Sequence, residues 1–197
     1  MVFKTLLLPW LIAAPGKDGL AIRRLEPSDA HLFLDHLHEL AFDDFRDRFN
    51  GVVNDSWLTG YIARSLRDAI VLGAFHGDHL VAVAELHCMG AAPGVGESAF
   101  SVASSWRRKG IGTLLITALL EAAREGGVHT VIVETGPQNV AMRELARKFG
   151  ADMHLEDSMS IGRIPVTEGL RRAEEGVEKL RPYRFLSVPE EWLALSA

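Results

Sequence analysis

The residues from Val102 to Thr113 read Val-Ala-Ser-Ser-Trp-Arg-Arg-Lys-Gly-Ile-Gly-Thr, and they bring three cations and two glycines to one short stretch. Glycines at 110 and 112 carry no β-carbon to hold a ligand away from the backbone. An apolar run of helical character begins at Ile111, so the first unpaired N–H groups of a helix point into the loop at the positive end of its dipole. Arg107, Arg108 and Lys109 add positive charge at the same place. This combination suits a phosphate or a pyrophosphate. It is not a Gly-x-x-x-x-Gly-Lys-Ser/Thr phosphate loop, and it lacks the third glycine of the dinucleotide-binding fingerprint. Spacing alone leaves a plainer reading open, a basic loop with a glycine-assisted helix start.

Other side chains offer less. Glu85, Glu97 and Glu134 lie on runs that read as strands, each a candidate proton acceptor or a solvated strand-end charge. Eight histidines invite a metal reading, but His36 and His38 are two apart on a helix and His76 and His79 flank a turn, so no set has ligand spacing and no metal is expected. Cys88 is the single cysteine; it forms no internal disulfide and is expected as a small buried side chain. Trp57 and Trp106 would line a ligand site or pack in the core or on the surface.

The elements that must position these groups follow from hydrophobic period and turn chemistry. Leu20–Leu25 reads as a strand, and Glu26-Pro27-Ser28-Asp29 opens an amphipathic helix carrying Ala30, Phe33, Leu34 and Leu37. Residues 42–66 form a helical arm. Ala69–Phe75 and Leu80–Cys88 make a hairpin around His76-Gly77-Asp78-His79. Glu97–Val102 is a strand running into the basic loop, and Ile111–Glu125 is a helix ended by Gly126-Gly127. Val128–Glu134 is a strand, Asn139–Phe149 a helix, Met153–Ile161 a last strand, and Thr167–Leu180 a charged surface helix. This order is α+β, or mixed α/β.

The whole chain sets outer limits. Its 197 residues fit one domain with short extensions, read as an N-terminal segment 1–19, a domain 20–165 and a C-terminal helical extension 166–197. A net charge of −5 argues against a general nucleic-acid partner, which would need a basic face. The apolar stretch Leu6–Ala14, broken by Pro9, only faintly imitates a signal peptide and is far short of the ~20 residues that span a membrane. A cytoplasmic protein without a membrane partner is expected.

On Arg107-Arg108-Lys109-Gly110-Ile111-Gly112 the sequence resembles the GNAT superfamily of acyl-CoA-dependent N-acetyltransferases, whose pyrophosphate loop is Arg/Gln-x-x-Gly-x-Gly/Ala. The resemblance covers roughly residues 20–165 and includes Asn139 at the next helix start and Phe149-Gly150-Ala151. Glu97–Val102 and Phe45-Arg46-Asp47-Arg48-Phe49 look more narrowly like the GNAT domain of bacterial protein-lysine acetyltransferases. The resemblance implies a mostly antiparallel twisted sheet, splayed at the acyl-CoA site, with helices on both faces. It implies acetyl-CoA as co-substrate, its pyrophosphate on the N–H groups of 108–113, including Ile111 and Thr113. Its pantetheine would pair with main-chain groups of Phe100 and Val102, and Asn139 would reach the pantetheine or the nearby backbone. Glu97 stands where the lysine acetyltransferases carry their base, ahead of Glu85 and Glu134.

The implied reaction moves an acetyl group to a primary amine, on a protein lysine or a small molecule, with a homodimer as a possible assembly. One departure matters. Many members place a tyrosine seven residues after the helix-start asparagine to protonate the departing thiolate, and here that position is Ala146. A water or a hydroxyl of Ser101 or Ser104 would replace it, or no acid is needed. The alternative is a non-catalytic acyl-CoA-binding or regulatory module.

Overall fold

The computed structural model describes residues 19–49, 51, 53–90 and 92–177; the stretch Leu6–Ala14 and the end of the expected C-terminal helix lie outside them. Seven strands form one sheet in the order β1-β2-β3-β4-β5-β7-β6: β1 Leu20–Arg24, β2 Ile70–His76, β3 His79–Cys88, β4 Val95–Val102, β5 Thr130–Thr135, β6 His154–Glu156 and β7 Met159–Pro165. Every pairing is antiparallel except β4 with β5. That exception follows from connectivity, because the chain leaves β4 through the basic loop and crosses back along a helix before entering β5.

Helices cover both faces: α1 Ala30–His38, α2 Phe42–Phe49 and α3 Asp55–Asp68 before the hairpin, then α4 Ile111–Glu125, α5 Val140–Lys148 and α6 Val166–Val177. The fold class is therefore the mixed α/β arrangement expected. Strand alternation gives the sheet two cores. Ala82, Ala84 and Leu86 face α4, whose Leu115, Ile116, Leu119 and Leu120 are fully buried. Val71, Val83 and Phe75 face the other way, onto Phe33 and Leu37 of α1 and Leu58 and Ile62 of α3.

Three expectations change. Met153–Ile161 is not one strand but parts of β6 and β7, turned at Asp157 and Ser158, both at positive φ (46° and 68°). That backbone matches the twist of a two-residue hairpin. The helix after β7, expected at the surface, buries Val166, Leu170 and Ala173 in the α4 core. Cys88, expected to be buried, is exposed at the end of β3.

Candidate functional site

The sheet opens at one seam. β4 pairs with β5 from Val95↔Thr130 to Ser98↔Val133 and no further, while β5 stays paired with β7 as far as Thr135↔Ser160. The Ser98 hydroxyl donates to the Ile132 carbonyl at 2.9 Å and pins the last rungs. Beyond them, Ala99 to Val102 have a neighbour only in β3.

Hydrogen-bond alternation says which main-chain groups face the seam. The N–H groups of Met89 and Ala103 donate to the carbonyls of Val95 and Val81, each at 3.0 Å. Odd-numbered residues of β4 therefore bond to β3, and the N–H and C=O groups of Phe100 and Val102 turn toward the opening. Their side chains pack on the α4 core. The side chains of Glu97, Ala99 and Ser101 occupy the opposite face, beneath α1 and α2.

The basic loop closes the lower end of the seam. A short 3-10 turn, Ser104–Trp106, leads into it, and Arg108 and Gly110 adopt positive φ (57° and 85°). Gly110 is the N-cap of α4 and has no side chain to offer the helix. The early N–H groups of Ile111, Gly112 and Thr113 therefore lie where a phosphate would receive them. A β-carbon at Gly110 would meet nothing within 4 Å, whereas one at Gly112 would lie 3.1 Å from Leu145 Cδ2 on α5. These glycines keep the cradle open and let α4 approach α5, so the residues present fit a diphosphate.

The cations are not all aimed at that cradle. The Arg107 guanidinium donates to the Val102 carbonyl at 3.2 Å and pairs with Asp44 of α2 at 2.5 Å. The Lys109 ammonium lies 4.4 Å above the Trp106 ring. Arg108 is exposed. Asn139 is the N-cap of α5, its carboxamide oxygen accepting from the Met142 N–H at 3.1 Å. That oxygen caps the first turn of α5. Ala146 is fully buried in the α4 core.

The three carboxylates separate by environment. Glu134 is exposed on β5. Glu97 is exposed on β4, opposite His87 of β3. Glu85 is buried and bonded on every side: it pairs with Arg48 of α2, accepts from the Tyr61 hydroxyl at 2.7 Å, and lies 3.2 Å from His87 Nε2. Burial alone would push its carboxyl up; the Arg48 charge, with the His87 and Tyr61 bonds, overcomes that and holds it at about 2. Burial likewise raises the Tyr61 hydroxyl above its ordinary value. Tyr61 stacks on Trp57 with rings 5.3 Å apart, and Phe49 stands edge-on to both. Sequence reasoning assigned no role to Arg48, Tyr61 or His87. The one local signal was Glu85 and His87 two apart on a strand, hence on one face.

α2 lies over the mouth of the seam and touches both sides. Asp44 reaches the basic loop, Arg48 reaches β3, and Asp47 accepts from Gln138 of the loop after β5 at 2.9 Å. Among the described residues no cluster of His, Cys, Asp and Glu could hold a metal ion, and no helix is long and apolar enough to cross a membrane.

This fold recurs in known proteins. The model of the acetyltransferase (GNAT) family matches residues 34–151, more than half of the chain. The GNAT domain of S. lividans PAT superposes with a TM-score of 0.67 at 19% identity, covering 74% of this chain and 90% of that one. YncA, a putative acetyltransferase from Salmonella typhimurium solved with its cofactor acetyl-CoA, gives 0.57 at 18% identity over 75% and 94%. The PaiA N-acetyltransferase from Thermoplasma acidophilum, in complex with coenzyme A, gives 0.58 at 18% over 74% and 98%. With a split sheet, a glycine-bearing basic loop at the start of α4 and a family match spanning both, this chain belongs to the GNAT family of acetyltransferases.

Proposed function

We propose that the protein transfers the acetyl group of acetyl-CoA to a primary amine, on a protein lysine or a small molecule, by direct attack of the amine on the thioester. The observation that carries the reading is the seam itself. A strand edge that has no β5 partner beyond Ser98, with the N–H and C=O groups of Phe100 and Val102 turned toward the opening, leads directly to an anion cradle at 108–113. An extended amide arm ending in a diphosphate matches both halves. The diphosphate would lie on the N–H groups of 108–113, with Arg107, Arg108 and Lys109 around it. Arg107 would have to leave the Val102 carbonyl for the arm to use it.

An alkylammonium, with a reference pKa near ~10.4, must lose a proton before it attacks. Glu97 is the proton acceptor in this reading, because it is an exposed carboxylate on the sheet face beneath α2 and on the strand that leads to the cradle. Phe100 is three positions further along the strand, about 10 Å at ~3.3 Å per residue, so the proton passes through water molecules. The setting is cytoplasmic, and the acidic chain favours a cationic acceptor.

One observation favours a second reading. Ala146, fully buried, puts a methyl group where many relatives carry an acidic hydroxyl, which suits a module that binds acyl-CoA without turnover. Thiol release from acetyl-CoA against a panel of amines and a lysine-bearing protein separates the two. Turnover supports the enzyme; CoA-dependent thermal stabilisation without turnover supports the module. Gly112→Leu should abolish the stabilisation, because its side chain would press on Leu145 and force the start of α4 away from α5. Unchanged CoA affinity in that variant overturns the diphosphate assignment.

A further inference from the structure

Two polar residues are buried together beneath the seam. Ser101 Oγ, on the unpaired end of β4, lies 2.9 Å from Nε2 of His36 on α1. Ser101 is 8% exposed and His36 1%. The register partner of Ser101 is Val83, and the helix neighbour of His36 is Leu37, both in the apolar core of this face. Burying a hydroxyl and an imidazole in such a place is costly unless each is bonded to the other.

The ring states which way the proton points. His36 Nδ1 is buried with no partner in hydrogen-bond geometry, and the Leu80 backbone adds only an attraction to the ring proton that is smaller than the effect of burial. An orphaned buried N–H is rarer and costlier than an orphaned lone pair. The proton therefore belongs on Nε2, which donates to Ser101 Oγ and leaves the hydroxyl's own hydrogen free to turn to the seam. Burial pushes the imidazole down to about 4, so at neutral pH the ring holds a single proton. The titratable groups facing it, Asp35, His38 and Glu39 of α1 and Asp78 and His79 of the hairpin, line the same surface pocket as His36.

Building on the acetyltransferase reading, we propose that Ser101 is the residue that protonates the departing CoA sulfur, with His36 as its positioning residue. The amine loses one proton to Glu97 through water before attack. As the N–C bond is made and the C–S bond breaks, the Ser101 hydrogen passes to sulfur. The serine oxygen takes the second proton from the acetylated nitrogen, and the His36 Nε2–H bond steadies the oxygen between the two transfers. Atoms and charges balance with no further reactant, and the histidine stays neutral throughout. Of the two hydroxyls left open by the sequence, Ser104 is exposed in the 3-10 turn beyond the seam, and Ser101 lies beside the Phe100 and Val102 main chain.

Ser101→Ala should lower turnover with acetyl-CoA roughly 10²-fold, the low end of what a positioned acid supplies, and leave CoA affinity by calorimetry unchanged. With the acetyl ester of seleno-CoA, whose selenolate leaves without a proton, the same variant should lose less than about threefold. His36→Leu should reproduce the loss in kcat without raising the KM for acetyl-CoA. Independently of activity, ¹⁵N NMR of the wild-type protein should find His36 protonated on Nε2 and bare on Nδ1. Equal losses of Ser101→Ala with both esters, an acetyl-CoA rate near wild type, or a proton on Nδ1 would each overturn the role. A wild-type protein that binds CoA but releases no thiol against any amine overturns the acetyltransferase reading, and this one with it.

Discussion

Glu85 and Glu97 lie on neighbouring strands of the same sheet face, yet their surroundings assign them opposite work. Glu85 is committed to Arg48, Tyr61 and His87 and is ionised down to about pH 2, so it is a poor proton acceptor and a strong structural anchor. Removing either partner strands a buried charge. Arg48→Met or Glu85→Leu should each cost about 3–5 kcal/mol in urea unfolding, and the double variant should recover a large part of that. A single variant within about 0.5 kcal/mol of wild type would show the pair to be hydrated. Glu97 carries no such commitment. Glu97→Gln keeps its shape but accepts no proton at neutral pH, so turnover should fall roughly 10²–10⁴-fold while CoA affinity holds. The loss should shrink at high pH, where more of the amine is already neutral. Turnover within about threefold of wild type would dismiss Glu97 as the base.

At the scale of elements, α2 decides how the seam meets its ligands. It buries no residue completely and holds its place through three posts, Asp44 to Arg107, Asp47 to Gln138 and Arg48 to Glu85. The first post draws Arg107 toward a carboxylate and away from the diphosphate cradle. Asp44→Asn should therefore tighten CoA binding several-fold at low salt, consistent with an exposed pair worth about 0–1 kcal/mol. The gain should fade as salt rises and screens the loop. Calorimetry at two ionic strengths measures it; weaker binding in the variant would mean that Asp44 holds Arg107 ready for the ligand. Removing two posts at once, in Asp44→Asn with Asp47→Asn, should speed amide exchange in α2 and leave the core strands unchanged.

For the whole molecule, acid is the direction of lost stability, and two buried groups set the windows. His36 is neutral in the fold with its pKa lowered from 6.5 to about 4. The unfolded chain thus binds the proton first, and stability is complete above ~6.5 and falls as pH drops toward ~4, by about 3 kcal/mol in all. Glu85 is lowered from 4.5 to about 2; its contribution is complete above ~4.5 and is lost between there and ~2. Urea unfolding from pH 7 to pH 3 should fall in two overlapping stages. His36→Gln should flatten only the upper one, and a variant with the wild-type slope between pH 6.5 and pH 4 would assign that stage elsewhere.

The sequence by itself determined what depends on neighbours along the chain. The basic loop, the glycine cap of α4, the hairpin at His76–His79 and the amphipathic helices rest on contacts within a few residues, so period and turn chemistry expose them. A phosphate-binding loop was legible because an anion cradle is one loop and one helix start; acetyl-CoA itself came from the resemblance to the GNAT superfamily. Tertiary structure alone decided which carboxylate is free. Glu85 and Glu97 look alike in sequence, and only the Arg48 side chain, 37 positions away, separates them. The Ser101–His36 pair spans 65 positions, and nothing local to either residue announces the other. The two strands within Met153–Ile161 escaped for a different reason: Asp157 and Ser158 turn the chain through positive φ without a glycine to mark it. Local chemistry is written in spacing, whereas burial and charge pairing exist only once distant segments share a core, because the solvent that would otherwise equalise these side chains is then removed from some and left on others.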